Sequence, residues 1–320
     1  MQFDVRGTYR TQSHKDPAYS ALTGRLAPEV CPWLSTVDVQ AALERDPLWR
    51  GRARIETAPA RVDSRAGRFA QCADALYYES NFVAAVGSSS LPANIIDVDK
   101  LTSHWRRRSP HVARVLDRTA RELLETLVGA VAETACAEYT CHEAGHSLGW
   151  PIGEKLESCY FRLGAPTGRV AWPLVFAEEF RADLLGLRVA RRILAPERAL
   201  AIFAYQTLHR IGLAAERAYG AGEPEGLVPY LLVDALLQSG TMARDGGPGQ
   251  RRLTLTSCDP HQLLERVDAL IQAGFDALAA VENTASVAPI DVAINAAAYV
   301  RRRMTDAAAQ AHYTALLSSP

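Results

Sequence analysis

The sequence predicts a mainly helical protein with a smaller mixed α/β part at its N-terminus. Two observations carry that expectation. Apolar residues recur at helical spacing through HVARVLDRTARELLETLVGAVAETACAEYTCHEAGHSLG, through LVFAEEFRADLLGLRVARRIL, and again near 197–218, 227–239, 259–280 and 288–315. Before residue 100 the pattern is irregular. GRARIETAPARVD alternates like an exposed strand, and SSSLPANIIDVD reads as a turn followed by an extended segment.

The punctuation along the chain supports each element. Gly129 interrupts the first long run, which fits either one helix or two separated near that glycine; Gly149, Pro151 and Gly153 end it. The interval 151–172 is rich in loop formers, and the second run stops before Pro196. Pro229 and Pro289 fall in first helical turns, where a missing backbone N–H costs little. SGTMARDGGPGQ reads as a surface loop and RRLTLTS as a short strand. The expected division is a mixed region over 1–105 and a helical, metal-binding region over 106–320 that forms one continuous unit.

Composition removes several function classes. At 320 residues the chain can bury a full core without disulfides or a structural metal. Thirty-five basic and thirty-six acidic residues leave a net charge of -1 with no basic stripe, so nucleic acid is not an expected partner. The short runs Arg106 to Arg108 and Arg301 to Arg303 read as solvated helix faces. No apolar stretch is long enough to span a bilayer, and the polar N-terminus lacks the apolar core of a leader, so no membrane partner is expected. Six cysteines with no CxxC pair exclude a disulfide-dense scaffold and a thiolate finger, and the expected location is the cytoplasm.

The sharpest signal is His142-Glu143-Ala144-Gly145-His146. Residues four apart on a helix share a face, so the two imidazoles can converge on one ion. Glu143 projects beside them, where a base that activates water belongs. Catalytic zinc takes three protein ligands and keeps one position open. The segment Ala177-Glu178-Glu179-Phe180-Arg181-Ala182-Asp183 is the supplier of the third. Glu179 and Asp183 share a helical face, so one can reach the ion while the other accepts the second N–H of a ligand histidine. The bland alternative has the histidines as buried structural donors, with Glu178, Glu179 and Asp183 paired to Arg181 or Arg188.

With those residues in hand, the chain resembles the gluzincin class of zinc metallopeptidases. That resemblance implies a zincin-like helical core in which His142, His146 and Glu179 bind Zn2+, Glu143 is the general base and Asp183 supports a ligand. The second helix is similar to that of the dipeptidyl peptidase III family, which carries Glu-Glu-Cys-Arg-Ala-Glu there. EEFRAD has Phe180 for the cysteine and Asp183 for the last glutamate, and Gly186-Leu187 continue the likeness. In that family the second glutamate binds zinc, which again selects Glu179 and leaves Glu178 as a supporting carboxylate. Two departures stand beside the likeness: HEAGH has one residue fewer between its histidines than that family, and the chain is much shorter than a typical member.

The function expected is a zinc-dependent hydrolase, a peptidase or amidase acting on a small peptide-like substrate. The alternatives are a non-peptidase reaction of the same site on a biosynthetic intermediate, and a metal-stabilised binding protein without activity. Amide hydrolysis needs a second donor to the oxyanion. His209 and Tyr205, which share an i,i+4 face, come first, with Tyr160 and Tyr230 behind them; core packing is the competing use for all four.

Overall fold

The computed structural model describes residues 1–8, 19–49, 56–71, 94–148, 172–216, 227–245 and 252–282. Among them the chain is mainly helical, with a four-stranded sheet near the N-terminus. Strand β1 (Gln2–Thr8) pairs antiparallel with β2 (Tyr19–Leu26), β2 antiparallel with β3 (Thr57–Ala66), and β3 parallel with β4 (Asn94–Asp97). Alternation along β2 turns Ser20, Leu22 and Gly24 inward. Phe3, Val5, Leu22, Ala60 and Ile95 then form the sheet's own apolar cluster with Phe69 of the short helix α2 (Arg68–Gln71). All four residues of β4 are buried, so this strand has no solvent face.

Between β2 and β3 lies α1 (Thr36–Glu44), whose Ser35 side chain accepts from the Val37 N–H. Helix α3 (Val98–Val112) follows β4 without a loop, because Asp97 ends the strand and caps the helix at the Lys100 N–H, 3.0 Å away. Helix α4 (Arg118–Val128) is capped by Asp117, and it ends at Gly129, whose φ of 60° suits glycine. Helix α5 (Val131–His146) follows. The long periodic run therefore breaks at Gly129 and also at 113–117, where periodicity alone gives no break. The reason is tertiary: Leu253 donates to Val115 O at 2.8 Å and accepts from Asp117 N at 2.9 Å, pinning this turn to a distant strand.

Helices α6 (Trp172–Ile193), α7 (Pro196–Glu216), α8 (Leu227–Gln238) and α9 (Pro260–Glu282) complete the described helical part. They share one core with α3, α4 and α5, built from residues such as Trp105, Leu124, Cys141, Leu184, Phe203 and Leu231. The expected strand within RRLTLTS is β6 (Arg252–Leu255). Its antiparallel partner β5 (Met242–Asp245) occupies part of the stretch expected to be loop. Met242 pairs with Leu255 and both are buried, so cross-strand packing outweighs the surrounding turn formers. Arg106 and Arg107 are exposed, as a solvated helix face requires, but Arg108 is buried. Of the loop-rich interval expected over 151–172 only Trp172 is described, and it begins α6; Arg301 to Arg303 and the helix expected at 288–315 lie outside the described residues. No helix among the described residues is long and apolar enough to cross a membrane.

Candidate metal centre

The site lies where α5 and α6 cross. Two glycines let the backbones approach. A Cβ on Gly145 of α5 would sit 2.3 Å from the Ala182 carbonyl oxygen of α6, and one on Gly186 of α6 would sit 2.9 Å from the Cys141 carbonyl oxygen of α5. No side chain larger than hydrogen fits either place without movement. Between these contacts the helices bring together His142, His146, Glu179 and Asp183.

His142 and His146, one turn apart, hold their rings 4.8 Å apart between centroids and nearly perpendicular. Glu179 faces both: its Oε2 is 3.3 Å from His142 Nε2 and its Oε1 is 3.7 Å from His146 Nε2. One donor atom from each of the three residues lies within 4.8 Å of the other two. A tetrahedral zinc with nitrogen and oxygen ligands at about 2.0–2.2 Å spaces those atoms about 3.4 Å apart. The donor set therefore fits zinc in chemistry and in span.

His142 Nδ1 is already committed, donating to Asp183 Oδ1 at 2.8 Å, which leaves Nε2 for the ion. Asp183 is fully buried and accepts twice more, from Arg210 Nη2 to Oδ1 at 2.7 Å and from Arg210 Nε to Oδ2 at 2.9 Å. Glu138, His142 and Asp183 form a second close group of donors, but it shares the His142 ring, and Arg210 holds its aspartate.

The metal-free electrostatics follow from this crowding. Burial works against the charged form of His142, yet hydrogen bonds to Asp183 and Glu179 and the attraction of both carboxylates hold its pKa well above the usual imidazole range. Burial likewise opposes ionised Glu179, but His142, His146 and Arg210 bring it down to about 2. For Asp183, burial is overcome by Arg210 and His142, which hold the carboxyl below its ordinary range.

Glu143 sits beside the triad, and its Oε2 lies 3.4 Å from Asn94 Nδ2 at the start of β4. A carboxylate can only accept, so the NH2 end of Asn94 must face it. The Asn94 Oδ1 is then buried without a hydrogen-bond partner among the described residues. The sheet reaches α5 at a second point, a 2.9 Å hydrogen bond between the buried hydroxyls of Thr57 and Thr140. Asn94 and Arg210 both belong to this site, and neither is signalled by motif or spacing.

Tyr205 and His209 lie on α7. Their ring contacts run toward α3: Trp105 stacks on Tyr205 at 5.0 Å, and Tyr205 stacks on His209 at 5.5 Å. Arg108 Nη1 is 2.6 Å from His209 Nε2, so the ring must accept there and carry its proton on Nδ1. Burial first, then the charges of Arg108 and Arg210, push the His209 pKa well below its ordinary value. Tyr160 and the side chains of Glu178 and Tyr230 lie outside the described residues.

The fold is similar to that of solved dipeptidyl peptidase III structures. Two solved structures carry the likeness. The dipeptidyl peptidase III of Caldithrix abyssi superposes with a TM-score of 0.65 at 13% identity, over 100% of this chain and 59% of that one. The dipeptidyl peptidase III of Corallococcus sp. strain EGB superposes with a TM-score of 0.60 at 13% identity, over 99% of this chain and 57% of that one. The chain thus spans under three-fifths of either relative. No family model and no curated protein matches it.

Proposed function

We propose that this chain is a zinc-dependent hydrolase acting on a small peptide-like substrate in the cytoplasm. The observation that carries this reading is the convergence of His142, His146 and Glu179 with Glu143 next to the first histidine. When bound, zinc polarises the substrate carbonyl and lowers the pKa of water.

The chain's own groups do the rest. His142, His146 and Glu179 are the ligands, and Asp183 keeps the His142 proton on Nδ1 so that the Nε2 lone pair is free. Glu143 accepts a proton from the attacking water and returns it to the leaving nitrogen. Asn94 steadies the Glu143 oxygen it bonds. The oxyanion donor besides the metal is not His209 through Nε2, since Arg108 occupies that atom. The second reading is a non-peptidase reaction of the same site on a biosynthetic intermediate, because a His-His-Glu donor set with a neighbouring base does not by itself choose the bond attacked. A purely structural ion has no use for Glu143, which weighs against a metal-stabilised binding protein.

Wild type and Glu143→Gln, purified side by side, test the proposal. Equal zinc content is expected, with hydrolysis of dipeptidyl-naphthylamides or of a panel of acyl amides by wild type alone. Equal activity in both proteins removes Glu143 as base. Full zinc retention by Glu179→Ala removes the third ligand.

A further inference from the structure

We infer that Arg210 is a positioning residue for the metal site, acting through Asp183 on the ring of His142. The inference rests on the metal reading proposed above and extends it by one more link. Asp183 has no access to solvent, so its orientation is set wholly by the groups that bond it. Its two oxygens receive three donors, of which Arg210 supplies two from a planar fork. Held by His142 alone, the carboxylate could turn about its last side-chain bond and present either oxygen to the imidazole. Held at both oxygens, it cannot. The imidazole then has one hydrogen-bonding direction for Nδ1, and Nε2 is aimed at the point it shares with His146 and Glu179.

Arg210 also separates two uses of Asp183. A lone buried carboxylate beside His142 is itself a metal donor, as the close grouping of Glu138, His142 and Asp183 indicates. With both oxygens engaged by the guanidinium, Asp183 is kept as a hydrogen-bond acceptor. The alternative role is a structural ion pair tying α6 to α7 with no bearing on the metal. The positive charge of Arg210 opposes an incoming cation, so a gain in affinity must come from geometry.

Arg210→Lys keeps that charge and removes the fork, which isolates the geometry. The control is Arg191→Lys. Arg191 grips Asp268 with the same fork, at 2.8 and 2.7 Å, reaching from α6 to α9. Zinc affinity is measured by competition with a chromophoric chelator, and ligand geometry by the visible bands of the Co2+-substituted protein. Arg210→Lys is expected to weaken zinc about tenfold, the lower end of the effect of a partner bonded directly to a ligand, and to alter the Co2+ bands. Arg191→Lys is expected to change neither, although both variants unfold at lower temperature without metal.

Wild-type or tighter zinc binding by Arg210→Lys, with unaltered Co2+ bands, overturns the inference. If that variant does not fold, Arg210→Gln, which retains one donor group without the charge, is judged by the same two measurements. His142→Ala separates the two readings. Loss of zinc there with no loss in the Arg210 variants sinks this inference alone. A wild type that holds no zinc sinks the metal reading and this inference together.

Discussion

Gly145 lies so close to Ala182 that a single methyl group on it would stand 2.3 Å from the Ala182 carbonyl oxygen. This contact sets the distance between the helix that supplies two ligands and the helix that supplies the third. Gly145→Ala must push α5 and α6 apart, at a cost of about 3 kcal/mol, the upper end for overpacking. The expected result is a lower unfolding midpoint together with loss of zinc. A variant that is destabilised yet binds zinc as tightly as wild type would show that the crossing does not set the ligand spacing.

Zinc affinity should rise with pH. In the metal-free protein burial opposes the His142 proton, but Asp183 and Glu179 prevail and hold the pKa well above the usual 6.5. Zinc must displace that proton from Nε2, so binding releases it. Affinity then climbs about tenfold per pH unit across neutrality until the raised pKa is passed, the expectation for one displaced proton. Chelator competition at several pH values measures the slope; a flat profile contradicts the electrostatics described.

Metal-free stability should fall as the solution turns acidic, beginning with His209. Burial and the charges of Arg108 and Arg210 lower its folded pKa, so the unfolded chain takes up a proton that the folded chain refuses. Its contribution is complete above about 6.5, the unfolded value, and drains away below it. His142 has the opposite sign: its raised pKa contributes fully below about 6.5 and is lost only as pH climbs through the folded value. Asp183 and Glu179, both lowered, lose their contributions only in stronger acid, below about 4. Denaturant midpoints should therefore decline from about pH 6.5 toward 4.5 in wild type and stay level in His209→Gln. Parallel curves for the two proteins would discount His209.

Asn94→Leu removes the only side-chain donor described at Glu143 while leaving the ligand triad intact. At 3.4 Å the bond is long, so its loss is expected to lower kcat less than about tenfold, with zinc content unchanged. Loss of metal in this variant would instead make Asn94 a structural prop.

Much of this was open to reading in residue order, and the rest had a physical reason to be hidden. His142 and His146 declare themselves because their spacing equals one helical turn, and Glu179 and Asp183 because they repeat that spacing in another apolar run. The helical class follows from periodicity in the same way. Arg210 and Asn94 carry no such mark: each joins the site through one side chain meeting a partner 27 and 49 positions away. Arg108 sits in a basic triplet that reads as surface, and only His209, 101 positions on, makes its burial intelligible. Strand β5 is hidden likewise, since Met242 is recognisable as strand only beside Leu255.

The three hydrogen bonds converging on Asp183 bear on how many ions one chain can carry. An ion settling between Glu138 and Asp183 would have to evict a guanidinium and strip the ring proton from His142. Native mass spectrometry at modest metal excess should accordingly register the same number of added metals in Glu138→Gln as in wild type, since this pair takes none.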